Sequence, residues 1–311
     1  MITAFINALI LPLALLIDRT VGDPDSRYHP VALLGSFIGL WGRPSAWPDT
    51  LHRTAGIVMW LVTAACFTLP FILAVLFLPW YFLIFVGPLL LKICLAWRSL
   101  EDHTLAVDQA LVSDISQGRG EAARMVSRDT SNLTEDQVLS AAYESLSENL
   151  VDSITAPIFY FGILGLPGAA LYRAANTMDA MLGYHDERKR IGWFSARMDD
   201  LLTYLPARIT GVFLLLYFAS RGRFHPAYEG LKQDRKKRPG INGGIPLAII
   251  AGGTGVRFDK PGVYQMGKGE RSLHEAGPDI IAAVRAVTLG FSLAVCIALI
   301  LWGYTTIYSG I

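Results

Sequence analysis

Charge is scarce in this sequence. Of 311 residues, 17% are Asp, Glu, Lys or Arg and 52% are hydrophobic, where a soluble domain carries about 25% charged residues. Twenty-six acidic residues nearly cancel 27 basic ones, leaving a formal charge of +1. That balance excludes the strong basic excess of a nucleic-acid binder, and no nucleic-acid partner is expected. Cysteine is scarcer still. Cys66, Cys94 and Cys296 all lie inside apolar runs, with no CxxC pair and no Cys/His cluster at metal-ligand spacing. They read as small apolar side chains, and neither a disulfide framework nor a cysteine-held metal is implied. There is no GxxxxGK[ST] phosphate loop, no internal repeat and no low-complexity tract.

What is present is apolar and gathered into runs. Residues 55–77, 80–97 and 279–306 are long enough to cross a bilayer, and residues 2–17 reach the lower limit. The first run has no basic flank and no small-residue cleavage pattern, so it is expected to be a retained span. Trp80, Tyr81, Trp97, Trp302 and Tyr304 fall near the ends of these runs, where amphipathic rings favour the interface. Two further runs are interrupted. Residues 153–175 carry Pro157, Gly162, Gly165, Pro167 and Gly168; residues 201–219 carry Pro206 and Arg208. Broken or charged helices at membrane depth face protein or a cavity. Residues 245–256 are too short to span, and read as a re-entrant piece or a buried turn. The expected fold is an all-α polytopic membrane protein of four to six transmembrane helices, with re-entrant segments, forming one integral membrane domain over 1–311.

Basic residues give the orientation. Loops 18–54, 98–152, 176–200 and 220–278 hold the arginines and lysines, while the 78–79 turn holds none. By the positive-inside rule all four loops belong to the cytoplasmic side of the cell membrane and both termini outside. Four crossings satisfy this if 153–175 and 201–219 are embedded without crossing. Six crossings, with loop 176–200 outside, are the alternative. Loop 98–152 has helical periodicity and is expected to be a cytoplasmic helical pair; 220–278 is a basic, Gly-rich cytoplasmic loop.

The polar residues cluster. Asp18, Asp23 and His29 follow the first run; a helix-exit turn and a carboxylate site for a divalent cation are both open. In Ser127-Arg128-Asp129-Thr130-Ser131, Thr130 or Ser131 is placed to cap a helix, and Arg128 offers a fork for phosphate or carboxylate. Glu144, Glu148 and Asp152 stand at i, i+4 and i+8 on one helical stripe, where like charges repel unless a cation lies between them. A solvated acidic face is the bland alternative; the sharper one is a magnesium site whose ligands are shared with a phosphate. Arg173, Asn176 and Asp179 follow at spacings of three. Arg197, Asp199 and Asp200 precede an apolar run. In Arg238-Pro239-Gly240-Ile241-Asn242-Gly243-Gly244 the glycines would let backbone amides approach an anion.

Taken in order, Gly22-Asp23-Pro24 with His29-Pro30, Arg98-Ser99-Leu100 with His103, Ser127-Arg128-Asp129-Thr130, the stretch from Glu144 to Asp152, Tyr172-Arg173-Ala174-Ala175-Asn176-Thr177-Met178-Asp179, and Ala196-Arg197-Met198-Asp199-Asp200 with Pro206-Ala207-Arg208 resemble the adenosylcobinamide-phosphate synthase family of cobalamin biosynthesis (CobD/CbiB). The resemblance runs from about residue 10 to 285; it departs at Ile245, where the family commonly has Trp. It implies an ATP-dependent amide ligase joining adenosylcobyric acid to aminopropanol phosphate, or to aminopropanol, with Mg2+ as cofactor and an active site on the cytoplasmic face. Glu144, Glu148 and Asp152 would hold the metal. Arg128, Arg173 and Arg197 would hold phosphates, with Asn176 and Asn242 beside them. His29 or Asp129 would take the amine proton, and Asp23 and Asp179 complete the catalytic set. An oligomer is compatible with all of this. A carrier of an anionic or corrinoid ligand is the other class to weigh, because interrupted helices bearing Arg173 and Arg208 also mark transport pathways.

Overall fold

A computed structural model describes residues 2–23, 28–184 and 186–308. Pro24 of the first motif and Arg27 of its loop lie outside the described residues. The helices in chain order are α1 (Ile2–Val21), α2 (Pro30–Trp41), α3 (His52–Phe77), α4 (Trp80–Ile93), α5 (Trp97–Ser113), α6 (Ile115–Ala123), α7 (Glu135–Leu150), α8 (Ala156–Leu182), α9 (Trp193–Ser220), α10 (Phe224–Asp234), α11 (Gly244–Thr254) and α12 (Leu273–Tyr308). A short antiparallel hairpin, β1 (Phe258–Lys260) with β2 (Tyr264–Met266), precedes α12.

Six helical stretches are long and apolar enough to cross a membrane. On α3, α4 and α12, large apolar side chains such as Phe77, Phe85 and Leu293 face outward. Contiguous apolar surface of this kind suits hydrocarbon rather than water. The chain is an all-α polytopic membrane protein. Between α3 and α4 the turn is two residues long. Leu78 is extended (ψ 132°) because the following Pro79 disfavours helical geometry, and Pro79 then caps α4.

The chain groups into two compact units. The first comprises Met1–Ala96, Ala156–Thr203 and Ser292–Ile311. In it α1 packs on α4, and α2 and α3 pack on α8. Ile38, Trp41, Trp60, Ala174, Met178 and Ile191 form its buried centre. The distinctive element is α8, which breaks at Gly165 (φ 67°, ψ −155°). That conformation is essentially restricted to glycine. Beyond the break the chain doubles back. Gly168 packs on the Tyr160 carbonyl, and the Tyr160 and Tyr172 rings stack with centroids 5.4 Å apart. Twelve residues of straight helix would span about 18 Å. The expected interruption of 153–175 is present: α8 is a helical hairpin with its tip at Gly165. The segment that follows it lies beside the α2–α3 connection, where Arg43 and Ser45 share a cleft with Asp186 and Arg188. The chain that leaves the hairpin therefore comes back to the level of the α2–α3 connection within this unit.

Residues 201–219 behave differently from the expectation of an interrupted run. They belong to α9, which continues through Pro206. Pro206 has no N–H for the Leu202 carbonyl, and the Tyr160 hydroxyl donates to that carbonyl instead at 2.9 Å.

The second unit comprises Trp97–Thr155 and Tyr204–Phe291. Its α5 packs on α6 and α7, its α10 on α11, and both α11 and β1 lie against α7. Residues 98–152 thus yield three helices rather than a pair. Residues 245–256 form most of α11, a helix buried on almost every side, rather than a re-entrant piece or a turn. Total burial explains why its sequence shows no amphipathic period. The cap of α7 is Thr134, not Thr130 or Ser131. Its hydroxyl accepts from the Gln137 N–H while the Gln137 side chain accepts from the Thr134 N–H. Thr130 instead donates to the Arg119 carbonyl, at 2.9 Å.

Candidate functional site

The acidic stripe lies on α7 in the second unit. Glu144 is 2% exposed. Arg128 donates to it through both Nη atoms, at 2.9 and 3.4 Å. Ser140, one turn earlier on α7, donates to Oε1 at 2.6 Å, and the Tyr264 hydroxyl donates to Oε2 at 2.5 Å. A carboxylate offers about four lone-pair sites, and here all four are taken. The β1 strand adds a further link, since the Asp259 N–H donates to Ser140 Oγ at 2.7 Å. Burial, reinforced by Glu144 and Glu148, pushes the Tyr264 phenol above its usual range, so it stays a hydrogen-bond donor.

One turn on, Glu148 accepts from Arg238, 90 residues away in sequence. The glycines of the 238–244 loop serve this contact. A Cβ at Gly243 would stand 2.6 Å from the Arg238 guanidinium carbon, so the side chain lies across the loop where only glycine leaves room. Asn242 accepts from Arg208 at 2.7 Å through its side-chain oxygen, and Arg208 also lies over the Tyr204 ring. The Arg208 charge is thereby met by protein, as its place in an apolar run requires.

At Val151–Thr155 the helix widens into a π turn, and Asp152 sits on it. The wider turn takes Asp152 off the 3.6-residue period assumed for the stripe. Among the described residues no three His, Cys, Asp or Glu side chains converge as a metal site. The three-acid metal stripe is corrected on this ground: Glu144 is already saturated by Arg128, Ser140 and Tyr264. Glu148 and Asp152 remain, both close enough to Arg238 to raise its pKa against the lowering effect of burial. Asp129 is exposed and accepts from the Ser131 N–H at 2.9 Å, which holds its carboxyl below the usual range. Lys260 is partly buried on β1, within electrostatic reach of Arg128, Glu144, Glu148 and Arg238; burial, ahead of the two arginines, lowers its pKa.

The first unit holds a second cluster. Lys92, in the last turn of α4, is 7% exposed and pairs with Asp23. His29 caps α2 by accepting from the Val31 N–H through Nδ1, and its Nε2 stands 3.6 Å from Asp23. With Nδ1 used as an acceptor, the nitrogen facing Asp23 is the N–H of a neutral ring. Burial holds the imidazole below its usual pKa, opposed by Asp23 and assisted by Lys92 and Arg173. His29 therefore presents a donor here rather than the base expected of it. Further along α8, Asn176 donates to Asp199 at 3.2 Å, and Asp179 lies partly buried one turn beyond. Arg197 is exposed and makes a loose pair with Asp200 at 3.7 Å.

The candidates thus fall into two groups: Asp23, His29, Arg173, Asn176, Asp179 and Arg197 in the first unit, and Arg128, Asp129, Glu144, Glu148, Asp152 and Asn242 in the second. The profile of the CobD/Cbib protein family matches residues 11–289. This chain belongs to the CobD/Cbib family. The probable cobalamin biosynthesis protein CobD of Methanothermobacter thermautotrophicus is 43% identical over 264 residues, 83% of this chain and 86% of the relative. That of Pyrococcus furiosus is 39% identical over 302 residues, 95% and 99% of the two chains. The cobalamin biosynthesis protein CobD of Dehalococcoides mccartyi is 36% identical over 283 residues, 85% and 88%. No solved structure matches. Membership in CobD/Cbib supports a role in cobalamin biosynthesis. Four members of the two clusters of this CobD/Cbib chain went unassigned from sequence: Lys92, Arg238, Lys260 and Tyr264. Lys92 did carry a signal, as the lone cation of the apolar run 80–97.

Proposed function

We propose that this CobD/Cbib protein is an ATP-dependent amide ligase. It joins adenosylcobyric acid to (R)-1-aminopropan-2-ol O-phosphate, or to aminopropanol, at the cytoplasmic face of the cell membrane. The observation that carries this reading is the set of Arg128, Tyr264 and Arg238 held on successive turns of α7 by Glu144 and Glu148. Amide formation at the expense of ATP needs cations fixed against phosphate oxygens and a donor near the developing oxyanion. Guanidinium groups locked by carboxylates are fixed in advance, so little ordering is required when substrate arrives.

In the reaction, the substrate carboxylate attacks the terminal phosphorus of ATP, ADP leaves, and an acyl phosphate results. The amine then attacks the acyl carbon, the carbon–oxygen bond to phosphate breaks, and inorganic phosphate departs. Arg128 and Arg238 steady the phosphoryl oxygens. Asp129, exposed next to Arg128 in the chain, takes the amine proton and passes it on to water. Magnesium needs one or two carboxylates and completes its shell with water and phosphate oxygens. Glu148 and Asp152, neighbours of the same Arg238, fit that need and Glu144 does not. Bound there, the ion would offset phosphate charge during transfer.

A carrier is the second reading, favoured by the re-entrant α8 and by Lys92 in an otherwise apolar helix. Detergent-purified protein separates the two, because a ligase needs no second compartment. Incubated with adenosylcobyric acid, aminopropanol phosphate, ATP and magnesium, it is expected to release the amide and ADP together. Folded protein that yields neither product excludes the ligase.

A further inference from the structure

Among the described residues, the Lys260 ammonium stands in the α7 cluster without an ion pair. Arg128 is locked on Glu144 and Arg238 on Glu148. The Lys260 side chain makes no ion pair or hydrogen bond among the described residues, although it lies within electrostatic reach of all four groups. The hairpin explains its position. Lys260 is the direct partner of Tyr264 across the β1–β2 ladder. Directly opposed residues of an antiparallel pair project from the same face, and the Tyr264 side chain from that face reaches Glu144. Lys260 therefore projects from the face that carries Tyr264 to the cluster, within electrostatic reach of both guanidinium groups. Burial and the two arginines oppose the Lys260 charge, while Glu144 and Glu148 support it, and the balance is unfavourable to the ammonium. An arriving anion relieves that imbalance.

We propose that Lys260 binds the phosphoryl dianion of a substrate, with Arg128 and Arg238 flanking the same group. This rests on the ligase reading and deepens it by naming the residue that receives the phosphate. A dianion with three oxygens suits the position better than a carboxylate, because Lys260 lies within electrostatic reach of both Arg128 and Arg238. Two substrates of the proposed reaction carry such a group, ATP and the phosphorylated amino alcohol, and the experiment tells them apart.

The test is lysine footprinting of the full-length protein in detergent. Sulfo-NHS-acetate acylates accessible amines, and mass spectrometry follows the peptide that carries Lys260. One arm adds ATP and the other adds aminopropanol phosphate, with inorganic sulfate at equal ionic strength as the control. Binding of both compounds is also measured by calorimetry on the wild type, Lys260→Met and Lys260→Arg. Expected is protection of Lys260 by one of the two, with affinity for that compound weakened about tenfold to a hundredfold in Lys260→Met, as for loss of a charged hydrogen bond. Lys260→Arg should retain most of the affinity. Protection by ATP assigns the nucleotide phosphate, and protection by aminopropanol phosphate assigns the amine substrate. Equal acylation in every arm, with unchanged affinities in Lys260→Met, overturns the proposal. Neither readout needs turnover, so a failed amide assay with Lys260 still protected would count against the ligase reading alone.

Discussion

Arg238 crosses its own glycine loop to reach Glu148. The space it occupies is the space a side chain at Gly243 would need. Gly243→Ala is therefore expected to act through Arg238: the guanidinium swings away and Glu148 loses its partner. Amide formation should fall by about tenfold to a hundredfold in kcat/KM, the cost of one charged hydrogen bond. Arg238→Ala should fall at least as far, and Glu148→Gln should lose turnover. Steady-state assays with melting temperatures recorded alongside check this. Wild-type kcat/KM in Gly243→Ala would break the link between the loop and the site.

The Glu144 hub makes a prediction about stability rather than rate. Removing one partner of a buried, hydrogen-bonded ion pair costs about 3–5 kcal/mol, because the other charge is left uncompensated. Glu144→Gln strands Arg128 and is expected to lower stability by that order. Tyr264→Phe removes one donor to a carboxylate that keeps its other partners, and should cost about 1.5–3 kcal/mol. The double variant should cost less than the sum, since both changes act on one network. Denaturation of the three variants in a single detergent tests the order. A Glu144→Gln protein as stable as wild type would mean that the hub contributes nothing.

How far these features were legible in the sequence depends on their range. The long apolar runs are one-dimensional signals and survive into α1, α3, α4 and α12. The break at Gly165 was legible as well, because prolines and glycines act on the backbone within a residue or two. Arg128 and the acids of α7 were visible as residue types at helical spacing. The direction of their charge balance was not. Repulsion along the stripe is relieved by Arg128 and Arg238, and spacing alone cannot distinguish an arginine from a metal ion as the relieving cation. Lys260 and Tyr264 lie on strands of three residues each, too short for any periodicity, and reach the site only through a register that pairs them. The glycines at 240–244 announced a tight loop but not that it would be filled by Arg238.

Acid should weaken the first cluster. Unfolded, His29 would titrate near its ordinary 6.5; folded, burial holds it lower. Between the two values the unfolded chain binds more protons, so stability rises with pH across that window. The contribution is fully present above 6.5 and is lost as pH falls through the folded value. His29→Asn keeps a side-chain acceptor for the α2 cap while removing the titration. Melting temperatures from about pH 5 to 7.5 should decline toward acid less steeply in His29→Asn than in wild type. Parallel curves would remove His29 from the pH response.

The hairpin tip carries the membrane topology. At φ 67° and ψ −155°, Gly165 occupies a region where a Cβ costs about 1–3 kcal/mol. Gly165→Ala should destabilise the protein by that order, whereas Gly39→Ala, at a helical position with open space around it, should be neutral or slightly stabilising. If α8 enters and leaves the bilayer on one side, as a hairpin with its tip at Gly165 would, the α2–α3 and α8–α9 connections are expected on the same side. Ser45→Cys and Glu187→Cys, on the shared cleft, should then react with a membrane-impermeant maleimide from the same side of sealed vesicles. Labelling of the two from opposite sides would require α8 to cross the bilayer, and a straight α8 would separate Tyr160 from Tyr172 and leave the Leu202 carbonyl beside Pro206 without its hydroxyl donor.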